Sequence, residues 1–162
     1  MSRAQRLLIC GGIALALWGM SYGMWYAVFG EHQALNGIGV SLASGFSAAA
    51  SRNPVAAQAS LDQYREAKYN YDRQVDVHGH WIGLAILLIV LGIGYRRVGF
   101  SERIAFLLAL GLFLGAVIFP LGVLLQTFSH GPLPRAVAIV GSALVIASLA
   151  GITLGFARDQ SS

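Results

Sequence analysis

The chain has 162 residues, of which 56% are hydrophobic and 11% charged, and its mean hydropathy is +0.65. A soluble domain carries about a quarter of its residues as charges, so this composition excludes one and suits a bilayer. The net charge of +4 does not make nucleic acid a partner, because the basic residues lie scattered between apolar runs and no polar segment gathers them.

The length fits one domain covering 1–162. The first apolar run covers about 7–29. It is long for a signal peptide and shows no clear A-x-A cleavage site, which predicts a retained membrane anchor. The single cysteine, Cys10, lies inside it. One cysteine forms no disulfide within the chain, and a lone membrane Cys reads as a small packing residue.

Residues 30–75 follow as an organised segment. Leu35, Ile38, Leu42, Phe46 and Ala49 recur at helical spacing and predict a short amphipathic helix. Asn53-Pro54 reads as a helix cap followed by a first-turn proline. From Pro54 no breaker appears before Gly79, and Leu61, Tyr64, Lys68, Tyr71, Val75 and His78 alternate spacings of three and four. A helix is expected from about 54 into the second span, near 95. At ~1.5 Å per residue it would project ~30 Å from the bilayer.

The other apolar runs cover about 76–95, 104–127 and 135–156. Each suffices to cross ~30 Å of hydrocarbon, which takes ~20 helical residues. Pro120 is expected to kink the third span, since proline removes a backbone donor and crowds the preceding turn. Every span carries a small-xxx-small pair that permits close helix packing: Gly19 and Gly23, Gly79 and Gly83, Gly111 and Gly115, Gly151 and Gly155. Short loops after the second and third spans complete the expectation. It is an all-α integral membrane protein, an antiparallel four-transmembrane-helix bundle with an extracytoplasmic helical segment between the first two spans.

Charge sets the expected orientation. Arg3, Arg6, Arg96, Arg97, Arg103 and Arg158 fall at one set of span ends, with Glu102 and Asp159 as the acidic residues there. On the other side, Arg52, Arg65, Lys68, Arg73 and Arg135 are matched by Glu31, Asp62, Glu66, Asp72 and Asp76. The positive-inside rule then places both termini and the 96–103 loop in the cytoplasm of a bacterial-type inner membrane, with 30–75 outside. Trp25, Tyr26 and Trp81 fall near the outer interface, where aromatic belts sit. Arg73 is expected to pair with Asp72 or Asp76.

All four histidines, His32, His78, His80 and His130, lie at the outer ends of the spans under this orientation. His78 and His80 sit at the hydrocarbon edge, where ionisable groups turn inward or find partners. Asp72, Asp76 and His80 are spaced to share one helix face, and Gln126 and His130 repeat that spacing on the third span. Antiparallel second and third spans would bring His80 and His130 to similar depth. His78 points roughly 200° away from His80, so one of the two is expected to meet Glu31 or His32 at the end of the first span.

Three chemistries follow. A copper, iron or zinc ion would be held by Asp76, His80 and His130, with His32 and Glu31 as outer candidates. A haem b would be held between helices by His78, His80 or His130. A His–Asp pair also serves a quinone or proton site. The opposing class is a non-catalytic membrane subunit or scaffold that packs against a partner complex or a second copy through its glycine faces. A transporter is disfavoured, since the inner parts of the spans carry almost no ionisable residue.

The His78-x-His80 pair opening an apolar helix resembles small polytopic bacterial proteins related to respiratory oxidases. Asp76-x-x-x-His80 is similar to a motif in membrane copper monooxygenases. Both resemblances are confined to these few residues. No phosphate-binding loop, His-Glu-x-x-His or Cys-x-x-Cys-His motif occurs, so whether the chain is an enzyme stays open at this point.

Overall fold

A computed structural model describes residues 1–159. Among them are five α-helices, α1 (Arg3–Phe29), α2 (Glu31–Ala50), α3 (Pro54–Gly94), α4 (Glu102–Leu125) and α5 (Pro132–Asp159), and a 3₁₀ turn at Tyr95–Arg97. No strand occurs among the described residues. Four helical stretches are long and apolar enough to cross a membrane: Arg3–Phe29, Pro54–Arg97, Glu102–Leu125 and Pro132–Arg158. The expected helix over Leu35–Ala49 is α2, and the expected continuous helix from Pro54 is α3. α1 and α4 begin earlier than their apolar runs, at Arg3 and Glu102, because arginine and glutamate are good helix formers, and α5 begins at Pro132, a residue a first helical turn tolerates. α4 passes Pro120 without interruption, with the proline buried.

Sequence explains the joints. Gly30 separates α1 from α2. At the end of α2, Asn53 N–H donates to Ala48 O at 2.9 Å and Arg52 N–H to Ala49 O at 3.0 Å. This is a Schellman closure, with Arg52 at φ 52° in the left-handed region. Asn53 then caps α3: its Oδ1 accepts from Ala56 N–H at 3.1 Å. Pro54 tolerates the first helical position because its missing N–H had no helical partner.

By contact the chain divides into two compact units. One holds Met1–Ser21 and the residues from Asp76 onward; the other is Tyr22–Val75.

In the first unit the helices approach through small residues. On α1, a side chain at Gly12 would meet Ala85 O and Leu88, and one at Gly19 would meet Trp81 and Ile82. From α3, Gly92 meets Leu8 and Ile9. Between α4 and α5 the partners are Gly111 with Ser148, Gly115 with Gly141 and Val145, and Gly122 with Ala138. In both pairs the partners descend one helix as they ascend the other. Leu8, Leu88, Leu112 and Ile152 are fully buried at these seams. In lipid no hydrophobic force drives helices together, so close van der Waals approach takes its place. Polar ties close the arginine-bearing end. Gln5 is buried, and its Nε2 donates to Gly92 O at 3.3 Å while Arg96 Nε donates to its Oε1 at 3.3 Å. Tyr95 Oη donates to Ala105 O at 2.7 Å.

In the second unit α2 lies along the first part of α3. Ser41, Gly45 and Ala49 line one side of a shallow groove, and Ala57, Leu61 and Tyr64 the other. Exposed positions of α3 carry the ion pairs Arg65–Asp62, 2.9 Å, and Lys68–Asp72, 2.8 Å. Hydrogen bonding to Asp72 holds the exposed Lys68 ammonium protonated above the ordinary lysine range.

Candidate functional site

The histidines of the first unit take separate directions. His78 is half-buried and its Nδ1 lies 3.0 Å from Gly19 O. A carbonyl only accepts, so Nδ1 is the donor in this bond. Gly19 makes this possible: a side chain there would touch Trp81 and Ile82, so the bare backbone lets α3 come close. His80 is exposed, and its ring lies 4.8 Å from the Phe119 ring, tilted 45°. His78 therefore turns to α1 and His80 to α4. Asp76, one turn before His80, is half-buried.

The expected shared helix face of Gln126 and His130 is absent. α4 ends at Leu125, and His130 is exposed in a non-helical segment. Gly131 and Pro132 follow it, and a residue before Gly-Pro has little reason to stay helical. Gln126 donates from Nε2 to Gly122 O at 3.3 Å.

Glu31 and His32 form the first turn of α2 in the second unit. Glu31 accepts a long bond, 3.4 Å, from Tyr71 Oη. Among the described residues, no three His, Cys, Asp or Glu side chains come together as a metal-holding group.

The second unit holds a polar and aromatic cluster that the sequence reading passed over. Tyr22 Oη donates to Gln74 Oε1. The Tyr26 and Tyr71 rings lie 6.5 Å apart, and Arg73 sits 5.0 Å over the Tyr69 ring. Asp72, expected as a partner of Arg73, is held by Lys68. The signal was present: Tyr22 and Tyr26 are one turn apart, as are Asn70 and Gln74, so two short polar faces were available to match. Of these tyrosines, the sequence assigns Tyr26 to interface anchoring.

The glycines divide sharply. Gly79 and Gly83 are exposed on α3, and a side chain at either would meet nothing within 4 Å. Ile86 and Val90, 55% and 59% exposed, continue the same stripe. The other expected glycine positions measured in the first unit, Gly19, Gly111, Gly115, Gly151 and Gly155, are all closed by this chain's own atoms.

No family model, curated protein or solved structure matches the chain.

Proposed function

We propose that the chain is an inner-membrane protein whose four long helices form an antiparallel bundle, with both termini cytoplasmic, and that it works as a non-catalytic subunit packing against a partner transmembrane helix. The orientation rests on the six arginines at one set of helix ends. The partner reading rests on one observation: the Gly79-xxx-Gly83 face of α3 is open, while the glycine faces used inside the unit are filled. A small-xxx-small face admits the backbone of another helix.

A photo-crosslinking residue at Ile86 tests this in native membranes, with Leu107, 64% exposed on α4, as the control. A discrete protein adduct from position 86 and not from 107 is expected. Lipid adducts alone at both positions would refute the partner reading.

A second reading keeps the histidine-centred metal or haem site, and His78 is what favours it. Ligating histidines commonly donate their other ring N–H to a carbonyl, which fixes the tautomer and aims the lone pair, and His78 is held in that way by Gly19. Oxidised and reduced optical spectra with metal analysis test it on the wild type and on His78→Ala, His80→Ala and His130→Ala. A haem band or about one metal per chain, lost in the variants, supports this reading; a featureless, metal-free protein removes it.

A further inference from the structure

Between α1 and α4 a groove opens in the first unit, reaching Trp81 of α3 at its apolar end. It begins among Arg3, Glu102, Arg103 and Phe106, in a recess of about 340 Å³. Arg3 and Phe106 also line the next recess, about 550 Å³, with Arg6, Leu7, Cys10 and Gly11. Gly11 in turn opens a third, about 400 Å³, which runs past Ala14, Trp18, Phe113 and Val117 to Leu121. Shared residues make the three one continuous groove, basic at one end and apolar along the rest.

Each part fits one class of occupant. The three arginines are exposed, and none has an ion pair among the described residues; Glu102 is the one carboxylate in the lining. Beyond Arg6 the groove offers no charged side chain. From Leu7 to Trp18, α1 rises ~16 Å at ~1.5 Å per residue. That equals about one leaflet, half of the ~30 Å hydrocarbon core. The floor is low because Gly11 lies directly against the Phe113 ring, where a side chain would collide at 2.7 Å. Cys10 and Ala14, both exposed, keep the walls narrow.

We infer that this groove binds an anionic glycerophospholipid from the leaflet on the arginine side, its phosphate held by Arg3, Arg6 and Arg103 and one acyl chain lying along α1 to Trp18. Basic recesses between membrane helices select such headgroups. The inference is independent of the partner helix and of the histidine reading.

Native mass spectrometry of the full chain, from micelles mixing phosphatidylglycerol and phosphatidylcholine with identical acyl chains, tests it. Phosphatidylglycerol is expected to be retained at about one per chain. Arg6→Gln with Arg103→Gln should lower that retention about tenfold or more. Ala14→Trp keeps the arginines but blocks the chain path, and should lower it as well. Arg97→Gln removes a charge at the same end outside the groove, and Leu107→Trp adds bulk on a different face of α4; both should retain the lipid. Circular dichroism on each variant separates lost binding from lost fold. Equal retention of the two lipids overturns the inference, and so does loss in Arg97→Gln as great as in the double variant, which means diffuse surface charge. Full retention in Ala14→Trp reduces the site to a headgroup contact and also overturns it. Displacement by millimolar inorganic phosphate would show a free-anion site instead of a lipid site.

Discussion

The α4–α5 pair and the α2–α3 hairpin are both antiparallel in contact and both rich in small residues, yet glycine does different work in each. Between α4 and α5, Gly122 lies against the backbone of Ala138, and Gly141 against that of Phe119. In the hairpin, a side chain at Gly45 would make ordinary contact with Ser60 at 3.6 Å, and Gly37 and Gly39 face open space. The first pair is held by backbone proximity, as expected where lipid removes the hydrophobic drive. The hairpin is joined by its Schellman turn and the Asn53 cap, while the Ser41 Oγ bond to Gly37 O at 2.8 Å and the charged pairs of α3 each lie within a single helix. Small residues thus carry the fold in one unit and merely permit it in the other.

The largest effect that would break this contrast is at Gly122 or Gly141. Leucine at either would run into backbone, which has no rotamer to move to. Overpacking costs about 1–3 kcal/mol and sometimes more, and here the upper end applies. Gly122→Leu and Gly141→Leu should lose most folded yield in detergent, while Gly37→Leu and Gly39→Leu melt with the wild type. Equal tolerance at all four positions would erase the distinction.

A middle-sized effect belongs to the hairpin joint. Asn53→Ala removes the acceptor of Ala56 N–H and should cost about 1 kcal/mol, within a range of ~0.5–2. Hydrogen exchange should show faster exchange at the first turn of α3 and unchanged protection in α4 and α5. Loss of protection in both would mean that the two units unfold together.

The smallest effect is at Lys68. Its folded pKa is raised by Asp72 above the ordinary value of 10.5, so the pair stabilises below pH 10.5 and fades as pH rises beyond it. Because the ammonium is exposed, Lys68→Met should shift the melting temperature barely at all at neutral pH. The residual difference from wild type should vanish in strongly alkaline buffer. A difference that grows with pH would reverse the assignment.

Several features could be read from the linear chain because they are local. The Leu35–Ala49 spacing predicts α2, and Asn53-Pro54 predicts the start of α3, since caps and helical periodicity depend on neighbours a turn away. Four apolar runs predict four long helices for the same reason. Gln126 and His130 share no helix face because α4 ends at Leu125, and Gly131-Pro132, four residues after Thr127, disfavours helix at His130. The histidines were legible as residues and not as a site. Their directions depend on which helix lies beside each one, and that set His78 on Gly19 and His80 on Phe119.

By itself the sequence determined the membrane-type composition, the helices and the asymmetry of arginine between their ends, all carried by hydropathy, spacing and charge along one dimension. Only the tertiary structure decided which glycines are closed and which stay open. It also decided that Arg3, Arg6 and Arg103, far apart in the chain, line one groove. Helix rotation and neighbour choice depend on how whole surfaces fit, and Gly79-xxx-Gly83 and Gly111-xxx-Gly115, alike in spacing, differ in what stands opposite them.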